Sequence, residues 1–239
     1  MKLLYNITVA LIILIFSTSD FQAQDQFKKG GFGYGAVGFS FGSITNLEST
    51  LQDNELICTY CNTPQFAWNL GGGGFGLFAK RLVLEGKLYG QIYEVTESET
   101  TRIKTTGGNV FVDVGYAVIN NKGWLLYPAV GFGISGHTMK IKNKTDGTLY
   151  FGDEKLYSDA QTDFRMGVPM VEVKVGLNKM LKDKGRVAIG LDLGVHFNVA
   201  ESEWKNIETG EMVTGADKTG FNAFFLNLTI GGGKFMMAK

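Results

Sequence analysis

From position 186 to position 199 the chain alternates without a break. Val187, Ile189, Leu191, Leu193, Val195, Phe197 and Val199 take the odd positions. Arg186, Ala188, Gly190, Asp192, Gly194, His196 and Asn198 take the even ones. A period of two is the signature of a β-strand with one apolar face and one small or polar face. Ordinary globular strands have about 5–6 residues, and this run is far longer. A strand crossing a bilayer at a tilt needs about 9–11 residues, which the run supplies. The apolar face then meets lipid, and the small and charged face lines a narrow barrel.

Seven further segments read as strands, giving eight at roughly 31–43, 66–80, 82–96, 104–120, 123–143, 164–181, 185–200 and 219–236. In the third, Leu82, Leu84, Leu88 and Ile92 oppose Glu85, Lys87, Tyr89, Gln91 and Tyr93. In the fourth, Val110, Val112, Val114, Tyr116 and Val118 oppose Asp113, Gly115 and Ala117. In the sixth, Val171, Val173, Val175 and Leu177 oppose Glu172, Lys174, Gly176 and Asn178. The first two strands are glycine-rich and either face could be the inner one. Three connections are tight: Lys80 and Arg81; Asn120, Asn121 and Lys122; and 182–184. Four are long: 44–65, 97–103, 144–163 and 201–218. Tight and long connections alternate, so in an up-and-down barrel all tight turns lie at one end. Outer-membrane barrels have this asymmetry, with short periplasmic turns and longer external loops. Trp68, Phe78 and Trp124 fall near strand ends, where an interfacial aromatic girdle would sit. Residues 45–53 read as a short helix over the mouth, and 201–218 as a hairpin turning near Thr209 and Gly210.

Residues 1–23 have the layout of a cleavable signal peptide: Lys2, an apolar run over 3–16, then a small and polar stretch ending at Ala23. The domain organisation expected is therefore signal peptide 1–23, linker 24–30, barrel 31–236 and tail 237–239. Lys and Arg number 23 and Asp and Glu number 23, so the chain carries no footprint for nucleic acid. The 33 glycines and 3 prolines sit in a chain that is 44% hydrophobic, which is a barrel wall rather than a disordered segment.

The export signal, eight long alternating strands and loop asymmetry resemble the small OmpA/OmpX-type outer-membrane barrels. Leu70, the glycines at 71–74, Phe75 and Gly76, followed by Leu84, Glu85 and Gly86, look like a glycine-rich hairpin of barrel proteins from Bacteroidota. The resemblance implies an all-β, eight-stranded antiparallel transmembrane barrel in the outer membrane, bathed in its lipid, and no particular activity. Barrels of this type usually end on an aromatic residue, whereas here Phe235 is followed by Met236, Met237, Ala238 and Lys239.

The candidate site is the set of inward charges: Glu85, Lys87, Asp113, Glu172, Lys174, Arg186 and Asp192, with His196. An unpaired charge inside a narrow barrel is costly, so these should pair into a plug. An eight-stranded barrel is just wide enough for side chains to fill. His137 and His196 are inward-facing, with Ser135 two residues before the first and Asp192 four before the second. A lipid-modifying barrel enzyme could use such a histidine as general base. The His-x-Ser pair of the barrel lipid A deacylases is absent at both positions. Cys58 and Cys61 in the first external loop read as a local disulfide of an exported chain. Gly33, Gly35 and Gly38 match G-x-G-x-x-G without the strand and helix a dinucleotide site needs. The carboxylates of loop 144–163 match no calcium loop. No cofactor and no metal are expected, and no enzyme activity. The expected role is a surface or structural one, through loops that meet an extracellular protein or surface ligand; the oligomeric state is not legible. A soluble lipocalin-like carrier, a lipid-modifying enzyme and a narrow channel are the competing readings.

Overall fold

The computed structural model describes residues 27–45, 65–97, 99–121, 123–181 and 187–237. Eight strands build the wall: β1 Phe27–Thr45, β2 Gln65–Phe78, β3 Leu82–Tyr93, β4 Thr101–Tyr116, β5 Trp124–Asn143, β6 Gln161–Met180, β7 Val187–Asn198 and β8 Gly220–Met237. Each pairs antiparallel with its neighbours in sequence, and β8 pairs with β1 to close the sheet. This is an all-β, eight-stranded, up-and-down transmembrane barrel. Closure leaves no long free edge.

The wall sorts its residues by the solvent each face meets. In β7, Val187, Ile189, Leu191 and Leu193 are 37–42% exposed on the outside, while Ala188, Asp192 and His196 are at most 2% exposed inside. Val110, Val112 and Val114 of β4 and Val130, Phe132 and Ile134 of β5 continue the outward apolar band. The two glycine-rich strands resolve the same way. Phe32, Tyr34, Ala36 and Ser40 point in from β1, and Ala67, Asn69, Phe75 and Leu77 point in from β2. A soluble carrier would need the opposite sorting, with its apolar residues around a ligand cavity.

Several boundaries differ from the sequence expectation. β1 begins at Phe27, inside the stretch read as linker. β4 stops at Tyr116; the chain bends through Ala117 and Val118, so Val118 is 7% exposed rather than outward. Residues 97–103 are not a long loop. Thr96 pairs with Ile103 and Glu97 with Arg102, continuing the hairpin almost to its tip. Lys80 belongs to a turn with Ala79, and both have positive φ, 46° at Ala79 and 73° at Lys80. The turn expected at 120–122 sits one step later, around Gly123, whose φ is 78°. Asn120 instead ties this end together: its side chain bonds both the N–H and the C=O of Phe27, and the C=O of Lys80. The signal peptide, most of the helix expected over 45–53 and the turn 182–184 lie outside the described residues.

The two remaining long connections are built structures. Loop 144–163 contains a hairpin of Leu149–Phe151 against Glu154–Leu156. Loop 201–218 turns near Thr209 and Gly210, and its Lys205–Asn206 pairs with Phe164 and Arg165 of β6. It folds back over the mouth rather than projecting away. Trp204, Phe151, Leu149, Leu156 and Val213 from these loops are at most 4% exposed, packed on Met139, Ile141, Phe164 and Phe221 of the wall. At the tight-turn end a second apolar cluster forms around Phe27, Phe32, Phe75, Leu125 and Phe235. The bore therefore has apolar layers at both ends and polar groups between. The interior is not polar throughout, as the sequence suggested.

Candidate functional site

The middle layer is assembled by register. Glu85 of β3 lies opposite Asp113 of β4, Asp113 opposite Gly131 of β5, Gly131 opposite Glu172 of β6, and Glu172 opposite His196 of β7. One row around half the wall thus carries three carboxylates and a histidine. Lys87 and Lys174 stand two positions away on β3 and β6. Like charges placed side by side repel, so the row is tolerable only with the two ammonium groups among them.

Lys87 sits 2.9 Å from Asp113 Oδ2 and also bonds Glu172. Lys174 reaches Glu85 at 2.6 Å, Asp192 at 3.2 Å and Asp113 at 3.6 Å. Tyr34 and Tyr127 donate hydroxyls to Glu85, the second at 3.1 Å. His196 Nε2 lies 2.7 Å from Glu172 Oε2, and its ring is stacked between Phe111 and Phe225, with centroids at 4.8 and 4.5 Å. The lysines also lie over rings, Lys87 5.7 Å from Phe111 and Lys174 5.5 Å from Tyr127. Every one of these charged side chains is at most 2% exposed.

Gly131 explains how the row fits. A Cβ there would overlap Asp113 Oδ1 and approach its Cγ to 2.9 Å, so the carboxylate occupies the space that the glycine leaves. Gly176 serves Tyr127 similarly, because the phenol oxygen lies 2.7 Å from where a Cβ would be.

Glu85, Lys87, Asp113, Glu172, Lys174, Asp192 and His196 therefore meet in one layer. Arg186 lies outside the described residues, as do Cys58 and Cys61. His196 does not pair with Asp192; its partner is Glu172. Sequence reading passed over Tyr34, Tyr127, Phe111 and Phe225. Tyr127 shares the inward parity of Ala129 and Gly131, which is the signal that could have found it.

Above this layer lies an uncharged polar one. Ser40, Asn69 and Gln91 bond one another, and Asn69 bonds Asn227 at 3.0 Å. Ser135 Oγ donates to Asn109 Oδ1 at 2.5 Å, and His137 Nε2 lies 2.8 Å from the same hydroxyl oxygen. The hydroxyl has one proton, and it is directed to Asn109. With that proton on Asn109, it is the Nε2-protonated tautomer of His137 that fits Ser135, as a donor and so the reverse of a general base. Both residues are 1% exposed beneath the apolar mouth layer. The carboxylates of loop 144–163 are dispersed instead of converging: Asp163 pairs with Lys140 at 2.6 Å and Asp159 lies 3.9 Å from Lys142.

No protein-family model and no curated protein matches the chain. Solved structures do. A major outer membrane protein of Thermus thermophilus aligns over 87% of this chain and 99% of its own, at 11% identity and TM-score 0.51. Ail, the attachment invasion locus protein of Yersinia pestis, aligns over 85% and 98% at 10% identity and TM-score 0.44. OprG of Pseudomonas aeruginosa aligns over 92% and 100% at 13% identity and TM-score 0.42. The first likeness extends to the barrel fold and no further.

Proposed function

We propose that the protein is a non-enzymatic, closed barrel of the outer membrane, whose loop end meets an extracellular protein or surface ligand or supports the envelope. The observation that carries this reading is the filled bore. Apolar, charged and apolar layers follow one another along it, with a hydrogen-bonded polar layer beneath the mouth. An interior packed in this way supports a barrel that neither holds a substrate nor passes a solute. The outward apolar band supports a membrane location, because a water-soluble protein rarely exposes so large a patch. The test is fractionation with gel mobility. The chain should partition with outer membranes and migrate faster unboiled than boiled. Recovery as a soluble periplasmic protein would sink the reading.

Among the described residues, the contact of Ser135 with His137 is the feature that favours a lipid-modifying enzyme. Its proton arrangement and its burial oppose that reading. His137→Ala and His196→Ala are expected to leave the mass spectrum of envelope lipids unchanged, and a lost acylation product would restore the enzyme reading.

A further inference from the structure

Towards the loop end, the outside of β4, β5 and β6 changes character within a few residues. Val110, Ile134 and Pro169 lie in register in the apolar band. The next outward row is Gly108, Gly136 and Gly167, and the one after is Thr106, Thr138 and Arg165. Then come cations: Lys104 opposite Lys140, Arg102 opposite Lys142, and Lys205 opposite Arg165. Lys140, Lys142 and Arg102 have carboxylate neighbours, at 2.6 Å from Asp163, 3.9 Å from Asp159 and 3.8 Å from Glu97. Among the described residues, Lys104, Arg165 and Lys205 have none within ion-pair distance.

The wall is also dented there. A shallow cavity of about 390 Å³ is bounded by Thr106, Gly108, Gly136, Thr138 and Arg165. A Cβ built on Gly136 meets nothing closer than 3.9 Å, so the floor of the dent is backbone facing open space. A dent between an apolar band and a bank of cations, three of which have no carboxylate partner among the described residues, suits one kind of molecule: acyl chains below, a sugar in the middle and phosphate above. Arginine and lysine side chains are the residues that recognise phosphate.

We propose that the outer wall of β4–β6 at the loop end binds a phosphorylated glycolipid of the outer leaflet, with its phosphate on Arg165 and Lys104 and its sugar against Gly108 and Gly136. The proposal rests on the outer-membrane reading. The net charge of the chain is zero, so this basic bank is a local separation of charge and not a general excess. The loop over the mouth, 201–218, carries five carboxylates against Lys205 and Lys218, the latter 3.1 Å from Glu203, so its charge is net negative and less suited to an anionic lipid than the side wall.

The full chain is refolded in nanodiscs of zwitterionic phospholipid, and lipid retention is read by native mass spectrometry. The probes are lipid A, the same lipid stripped of phosphate, and phosphatidylglycerol. Lipid A should be retained at least about tenfold more strongly than either of the others. The double variant Lys104→Gln/Arg165→Gln should lose that preference, while Lys28→Gln/Lys29→Gln, at the other end of the barrel, should keep it. Gly136→Leu fills the dent without changing charge and should weaken lipid A retention while leaving unboiled gel mobility unchanged. Equal retention of stripped lipid or phosphatidylglycerol overturns the proposal, as does wild-type retention by the Lys104/Arg165 variant. Absence of the chain from outer-membrane fractions is a separate failure, of the outer-membrane reading itself.

Discussion

Four carboxylates, Glu85, Asp113, Glu172 and Asp192, share the middle of the bore with two lysines, Lys87 and Lys174. The lysines are therefore the scarce partners. Lys174 serves three carboxylates, and its loss leaves anions buried without compensation. Lys174→Met should cost about 3–5 kcal/mol, the usual penalty for breaking a buried ion pair from one side. Asp113 is a surplus charge, and neither of its oxygens has a well-aligned hydrogen bond. Asp113→Asn should stay within about 1 kcal/mol of the parent. The temperature at which gel mobility shifts to the unfolded form measures both. Equal losses from the two substitutions would contradict the charge count. Gly131→Ala tests the same layer sterically. The new methyl group collides with Asp113, and the shift temperature should fall by an amount equivalent to about 1–3 kcal/mol of overpacking. Combining it with Asp113→Gly should recover most of the loss, which a backbone defect at Gly131 would not allow.

At the scale of the element, the turn between β2 and β3 makes an unfavourable local choice. Ala79 and Lys80 both have positive φ and link Phe78 to Arg81, whose N–H bonds Phe78 C=O at 3.1 Å. This geometry favours Asn followed by Gly. Ala79→Asn with Lys80→Gly should stabilise the barrel by about 1–2 kcal/mol, read as a higher shift temperature, because each left-handed residue with a Cβ costs roughly that much. The backbone bonds of residue 80 to Lys28 and Asn120 are unaffected by the exchange. β7 was legible over Val187–Asn198 because bulky apolar residues occupy one face and small or charged ones the other. β1 and β2 were not: Gly31, Gly33 and Gly35 face out opposite Gly76, Gly74 and Gly72, so over this half of the pair the outer face lacks the side chains that mark a lipid side, and Val37, Phe41, Trp68 and Leu70 supply them further up. The upper part of β5 carries no outward apolar pattern, for a different reason. Beyond Gly136 the wall meets water, so Met139 and Ile141 turn inward while Lys140 and Lys142 face out. The period of two persists, but the polarity it carries reverses with the solvent. The charge layer was legible because its members stand at inward parity on well-marked strands. Its tyrosines were hidden, Tyr34 in a glycine-rich strand and Tyr127 between apolar neighbours.

For the whole molecule the consequence is redundancy in the seal. The mouth layer comes from long-range packing, since Phe151 of one loop meets both Phe164 of the wall and Trp204 of the other loop, with Val213 in the same cluster. The charge layer and the basal aromatic cluster are built from barrel strands and the residues at their ends, and they need neither loop. A natural cut preserves the wall: Ser202 and Thr219 already bridge each other by two backbone bonds, of 2.7 and 2.9 Å. Excising 203–216 and closing the gap with a short turn should therefore leave the barrel folded. It should expose Phe164, Phe221 and Met139, seen as a gain in binding of an apolar dye. It should not open a conduit, because an eight-stranded wall leaves room only for the side chains already packed within it. Planar-bilayer current should stay at noise for both the parent and the excised form. Discrete conductance steps from the excised form would mean that the loops alone close the bore. The charge layer would then be a hydrated path and not a seal. Silence from the excised form, together with a lowered shift temperature, would assign the mouth layer to stability and leave closure to the strands.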